Sequence, residues 1–505
     1  MNKKRIVWAS AGGAILVVIF GILPWFFGNM AHKKLEEQAV VVSKLPGYTL
    51  TIQEYDQGWF SSRAVFNLGF DEHMLEVFEK SENKDNMDRT IMELFRHGMV
   101  FETDIAHGPV TFQDGINFAL LTSKSNLQDF DTESFRIFKE NSRIEYLLQG
   151  FSRVTYFGTI EGTFSSPAFS SRFTNPKGQE IVIDFGGFEG ETTMEADLSY
   201  YDLEAVMPGV TISSQDGSFT IWTIRMEAEA ERLNDYLWLG EGETSMKSVE
   251  FSAPGKAPFN LDKLKITYDM KKESDKDLSF ALAFTIDKIA GKESAEATDE
   301  IIIEDIELDT VAHRLEIGAL TEYVKGVQEV SSLMYQTTSP EEQKAQAEAL
   351  AQVIGSAGQK LLLNSPELEI KALDFKFNGG SFDGDGVAKI NAEGLTDAQA
   401  LAVPEELTRR LDLDLTARFD QPLAEALVLM GMKKQMAASG MDMSALPPEQ
   451  VKEAVGVQTS MMLQVYVQQG LIVAGEKENT FKSRIQIKDG QQMVNGKAIQ
   501  LPMAQ

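Results

Sequence analysis

The 505-residue chain contains no cysteine, which removes disulfide scaffolds, thiolate nucleophiles, iron–sulfur clusters and cysteine zinc sites together. Histidine is scarce, with five, and no H-E-x-x-H or other close ligand spacing accompanies them, so a histidine metal site is not expected. His97 and His107 would lie about 33 Å apart on one extended strand at about 3.3 Å per residue, too far to share an ion. Basic residues are few: 47 Lys and Arg face 76 Asp and Glu, a net charge of −29. Nucleic acid is therefore excluded as a partner class and anionic headgroups are disfavoured, because both demand clustered cations.

Catalytic motifs are missing as well. There is no G-x-S-x-G elbow and no G-x-x-x-x-G-K-[ST] phosphate loop. Ser81-Glu82-Asn83-Lys84 matches S-x-x-K without the K-T-G companion that gives the motif meaning. The run Gly379 to Gly386 invites a calcium reading, but Val387 falls on a ligand position and no Glu closes the loop, so a glycine-rich hairpin is expected. With 76 carboxylates, pairs at any chosen spacing arise by chance and carry no glycosidase signal. A non-catalytic protein without a cofactor is expected.

Long hydrophobic runs are absent except one. Between Arg5 and Lys33 no Lys, Arg, Asp or Glu occurs, and Ile6 to Gly28 is dominated by aliphatic and aromatic residues. That exceeds the roughly 20 residues needed to span a hydrocarbon core. Trp8 at one end, and Trp25, Phe26 and Phe27 at the other, suit the two lipid–water interfaces. A cleaved secretory signal would have a shorter apolar core and small residues at its end, where this chain has Asn29 and Met30. Residues 1–34 therefore read as a retained N-terminal transmembrane helix. Lys3, Lys4 and Arg5 favour a cytoplasmic N-terminus, giving a single-pass protein of a bacterial inner membrane whose acidic body lies in the periplasm.

The body reads as α+β. Tyr48, Leu50 and Ile52 alternate with polar residues, Asp56-Gln57-Gly58 supplies a turn, and Phe60, Ala64, Phe66, Leu68 and Phe70 share one side of a second strand. Glu72 to Arg96 is expected to form two short helices. From Met99 to about Val311 alternation dominates, as in Leu264, Ile266, Tyr268 and Met270 or Leu278, Phe280, Leu282, Phe284 and Ile286. This predicts a large, mostly antiparallel sheet over a domain spanning 35–312. One face of that sheet must be covered by a second sheet, by helices, or by a bound apolar ligand.

Residues 313–505 form a mixed helical and β C-terminal third. Ser339-Pro340 with Glu342 opens a helix whose stripe is Leu350, Val353, Ile354, Ala357 and Leu361. Strands are expected at 367–377, 386–392, 411–419, 471–474 and 480–488. Helices are expected at 397–410, with a break at Pro404, and at 422–438 and 448–470.

Three places stand out as candidate ligand or partner surface. Gly58-Trp59-Phe60 is a tight turn displaying two aromatics. His107-Gly108-Pro109 fixes a sharp change of direction, and the simplest role for its imidazole is capping a neighbouring carbonyl. Met430, Met432, Met436, Met461 and Met462 lie in or beside two predicted helices, with Met441 and Met443 between them. Such side chains suit an adaptable apolar surface for lipid or a partner, or plain core filling.

Tyr55-Asp56-Gln57-Gly58-Trp59-Phe60-Ser61-Ser62, His107-Gly108-Pro109, and Asp489-Gly490 with Asn495-Gly496-Lys497 together resemble the YdgA and YihF type envelope proteins of Gram-negative bacteria, the family of domain of unknown function 945. The resemblance extends over nearly the whole chain. It implies an inner-membrane-anchored envelope protein and brings no activity or catalytic residues. The expected role is binding of a lipid or an envelope protein through the β-rich body. The alternatives are a homodimeric scaffold joined by the methionine-rich helices and, more distantly, an envelope hydrolase.

Overall fold

A computed structural model describes residues 23–42, 48–70, 98–129, 133–174, 178–292, 300–334, 340–439 and 446–498. The two helices expected between 72 and 96, together with His97, Met441 and Met443, lie outside the described residues. Two compact units are present. The first comprises Met1–Gln215, Thr223–Tyr236 and Val324–Val353, and the second Asp216–Trp222, Leu237–Tyr323 and Ile354–Gln505. The expected boundary at residue 312 lies near the end of a strand, Glu300–Glu316, inside the second unit.

The first unit begins with helix α1 (Leu23–Val42) and an antiparallel hairpin, β1 (Tyr48–Gln57) and β2 (Ser61–Phe70). The sheet continues through β3 (Met99–His107). A small separate hairpin of β4 (Val110–Thr111) and β5 (Asn117–Phe118) interrupts it before β6 (Leu121–Leu127). Helix α2 (Glu133–Ser142) leads to β7 (Gln149–Val154), β8 (Thr159–Ser166), β9 (Phe169–Thr174), β10 (Glu180–Phe185), β11 (Phe188–Glu195) and β12 (Tyr200–Ser214). β8 pairs β11 while β9 pairs β10, and β10 and β11 lie in succession along β12. They act as two long strands, each broken near its middle.

β13 (Gly217–Arg232) contributes residues to both units. The second unit contains a meander of β14 (Trp238–Ser252), β15 (Phe259–Lys272), β16 (Asp277–Lys292) and β17 (Glu300–Glu316); the chain then forms helices α3 (Ile317–Met334) and α4 (Pro340–Leu363), of which residues 324–353 count with the first unit. It goes on through β18 (Glu367–Phe377), β19 (Gly380–Ile390), a 3-10 turn at Ala398–Ala402, α5 (Pro404–Arg410) and β20 (Leu411–Asp420). Helices α6 (Gln421–Ala438) and α7 (Pro448–Gln469) precede β21 (Val473–Ala474), β22 (Thr480–Lys488), β23 (Gln491–Val494) and β24 (Lys497–Ala498). α6 packs on β18, β19 and β20, and a small core forms where Ala424, Leu463 and Ile472 meet Phe419, Met462 and Phe481.

The expected sheet and most helices are therefore present. The glycine-rich segment is the β18–β19 hairpin, and its Asp383 and Asp385 both accept from Arg418 Nη1, at 2.7 and 2.6 Å.

Of the expected N-terminal span only the end is described. No described helix is long and apolar enough to cross a membrane, and residues 6–22 of the expected span lie outside the described residues. Its last six residues, Leu23 to Gly28, instead open α1, which runs on to Val42. Pro24, Gly28 and Ala31 are buried, and α1 packs along β1 with further contact to β2, β3 and β6. The end of the apolar run belongs to the folded body, because its small residues let the helix lie close on the sheet.

Candidate functional site

His107 closes β3, and its imidazole is buried between the β1–β2 turn and the start of β2. Nδ1 lies 3.3 Å from the Trp59 carbonyl oxygen and Nε2 lies 2.9 Å from Ser62 Oγ. A carbonyl can only accept, so Nδ1 carries the proton; in the neutral ring Nε2 then accepts from the Ser62 hydroxyl. Burial pushes the His107 pKa down, partly opposed by the bond to Trp59, which keeps the ring in this neutral tautomer. The His107 backbone N–H donates to the Phe60 carbonyl at 2.8 Å. The β1–β2 turn is thus clipped to the end of β3 by both main chain and side chain.

Helix α1 seals this clip. A Cβ added to Gly28 would stand 2.4 Å from His107 Cε1, so only glycine lets the helix approach the ring. Tyr55 donates its hydroxyl to the Gly28 carbonyl at 3.3 Å and stacks on His32 with ring centroids 4.0 Å apart. Burial raises the Tyr55 pKa while the neighbouring Ser62 hydroxyl works the other way. Gly108 is constrained equally tightly, since a Cβ there would fall 1.8 Å from the Ala119 carbonyl oxygen. The Gly108–Pro109 peptide is cis, Gly108 N–H donates to Leu120 O at 2.7 Å, and Tyr156 donates its hydroxyl to Pro109 O.

The Ser62–His107 pair has the hydrogen-bond order of a nucleophile and its base. Its third partner is a carbonyl rather than a carboxylate. Ser62 is 4% and His107 3% exposed, and Gly28 occupies the space beside the ring that a substrate would need. As it stands the group joins a helix, a hairpin and a turn.

The other candidates are distributed differently. Trp59 and Phe60 are exposed, and Phe60 precedes β2 rather than sharing its inner row. Of the methionines, Met462 joins the core described above, Met432 and Met436 are half-buried, and Met430 and Met461 are exposed. Met461 belongs to a stripe with Ala454, Val457 and Val465 on the outer side of α7, opposite the buried Val455, Thr459 and Leu463. A shallow depression of about 550 Å³ follows it, lined by α7 residues that include Val457 and Met461. Among the described residues no cluster of His, Asp and Glu could hold a metal ion.

Sequence reasoning missed Ser62 as the hydroxyl partner of His107, Gly28 against its ring, Tyr55 on the Gly28 carbonyl and Tyr156 on the Pro109 carbonyl. Tyr55 and Ser62 stand within the motif around Trp59 and could have been noticed there. Gly28 is hidden in an apolar run and carries no local signal.

A further feature is the inner row of β15–β17. The register pairs Ile266 with Phe284 and Leu264 with Ile286, and then Phe284 with Leu308 and Ile286 with Ile306. These residues form an apolar band across three strands in which only Ile286 is fully buried.

These features define a β-rich α+β protein built on antiparallel sheet, with a buried Ser–His clip at one turn end. The profile of the family described as bacterial protein of unknown function (DUF945) matches residues 1–502, and the chain belongs to that family. It is 24% identical over 298 residues to the uncharacterized protein YihF of Escherichia coli (strain K12), an alignment covering 55% of this chain and 57% of that protein. No solved structure matches.

Proposed function

We propose a non-catalytic, inner-membrane-anchored protein whose β-rich body in the periplasm holds an apolar ligand of lipid type. The observation that carries this reading is the apolar band on β15–β17. Leu264, Ile266, Met270, Phe280, Leu282, Phe284, Ile306 and Leu308 are all only partly covered. Fully burying a side chain of this size stabilises by about 1.5–3 kcal/mol, so a band left half-covered favours any apolar molecule that completes it. Tyr268, in the same row of β15, and Leu368 and Leu373, on the adjoining β18, are more than a third exposed and extend the same surface. The apolar, charge-free N-terminal run supports the anchor.

The test is photo-cross-linking in cells with a benzophenone amino acid at Phe284. An adduct of phospholipid mass is the expected product. A protein adduct would move the reading to an envelope partner, and no adduct under conditions that label an exposed control position would remove it.

The outer stripe of α7 favours a second reading, a homodimeric scaffold in which Val457, Met461 and Val465 of two copies meet. An apolar helical stripe of this spacing is suited to pairing with its own copy.

A further inference from the structure

The turns at one end of the first unit's sheet carry an unusual surface. β1 ends, β2 begins, β3 ends, β6 begins, β7 ends and β8 begins at this end, because the strands run alternately. Phe112, Ile116 and Phe118, on the β4–β5 hairpin, are 72%, 69% and 69% exposed, and Phe157, in the β7–β8 turn, is 95% exposed. The Tyr156 hydroxyl on Pro109 O and the Leu120 N–H on Val154 O hold these two turns side by side. The β1–β2 turn joins them through the His107 clip and brings the exposed Trp59 and Phe60.

The helix start lies at the same place. Gly28 against His107 puts the first turns of α1 beside this rim, and there Trp25 and Phe26 are exposed. In a chain where 24% of residues are charged, these three turns hold one charged residue, Asp114. The first charge on α1 is Lys33, about 12 Å further along the axis from Trp25 at 1.5 Å per residue.

We propose that this rim lies in the lipid–water interface of the bilayer, with its aromatic side chains at headgroup depth, where α1 emerges. This rests on the reading that residues 6–22 cross the membrane. Three features select lipid over a protein partner. The exposed residues sit on separate turns at the same end of the sheet, they are mainly Phe with Trp, the apolar and aromatic types that interfacial elements sink into the headgroup boundary, and the chain preceding Leu23 stays free of charge back to Arg5. Because the protein is strongly acidic and the rim has no cation, the attraction is apolar, so added salt does not weaken it. The anchor then does more than tether: the clip of α1 to β1–β3 fixes the tilt of the first unit on the membrane.

The absence of native cysteine makes the test direct. The full chain carrying Phe157→Cys is spin-labelled and reconstituted in phosphatidylethanolamine–phosphatidylglycerol vesicles, with Glu140→Cys on α2 as the control. At 157 the expected result is loss of accessibility to a water-soluble nickel chelate with retained accessibility to oxygen; at 140 the order is reversed. A label at 157 as open to the chelate as the one at 140, on protein that stays with the vesicles through a carbonate wash, overturns the proposal and leaves the anchor standing. Shielding from both reagents would mean a protein contact and overturns it too. Protein that leaves the vesicles in the wash removes the anchor reading and this inference with it.

Discussion

At the residue scale the chemistry concentrates on His107. Its ring must stay neutral to accept from Ser62, and burial lowers its pKa below the ordinary imidazole value. A histidine with a lowered folded pKa binds fewer protons in the native state than in the unfolded one, so the native state loses stability as pH falls through about 6.5 toward the lowered value. Above about 6.5 the ring is neutral in both states and this loss vanishes. His107→Gln keeps a polar group but cannot titrate. Thermal unfolding at pH 5.5 and pH 7.5 should show a larger drop for the native chain than for this variant; equal drops would exclude His107 as the titrating group. The imidazole's carbonyl-capping role was legible from His107-Gly108-Pro109 itself. Its hydroxyl partner was not, because Ser62 is 45 residues away and only the pairing of β2 with β3 brings the two together.

At the scale of elements, alternation predicted the strands well because each sheet has one more apolar face. The structure adds a line crossing β15, β16 and β17 at Lys263, Asp287 and Asp305. Lys263 and Asp305 are left-handed, with φ of 49° and 51°, and the bridging pairs step over all three residues. A left-handed residue resets the pleat, so the apolar positions change phase. Phe259 and Leu261 give way to Leu264 and Ile266, and Ile301 and Ile303 to Ile306 and Leu308. Ion pairs Lys263–Asp287 at 2.5 Å and Asp305–Lys376 at 2.6 Å run along the line. Nothing in the local sequence marks it, since the lysine and the aspartates read as ordinary outward residues.

Another junction hangs on Asp420, the residue before α6. One carboxylate oxygen accepts from Leu423 N and Ser381 N, both at 2.9 Å, and the other from Ser381 Oγ at 2.7 Å. It caps the helix and ties it to the β18–β19 hairpin. Asp420→Ala should cost about 1–3 kcal/mol, a lost cap plus an unsatisfied donor. Asp420→Asn should recover most of that in urea titrations. Equal stability of the alanine variant and the native chain would show that the cap is replaceable.

For the whole molecule, the excess of acid keeps a large β surface soluble and apart from its copies, leaving self-association to apolar contacts. If the α7 stripe joins two copies, Met461→Glu should convert a dimer to a monomer by light scattering. Met461 is 63% exposed, so the fold should change in stability by no more than about 0.5 kcal/mol. A native chain that stays monomeric at every concentration would remove the scaffold reading.

What the sequence alone determined is whatever repeats along the chain: the two-residue rhythm of the strands, the helix opened at Ser339-Pro340 and those expected at 422–438 and 448–470, and the glycine turns. These follow from backbone geometry that acts over a few residues. Only the tertiary structure decided that Gly28 leaves the apolar run to press on His107, that the methionines divide between core and surface, and that Phe112, Ile116, Phe118 and Phe157 meet at one end. Those outcomes depend on which distant strands become neighbours, and that is set by pairing across the sheet rather than by any local pattern.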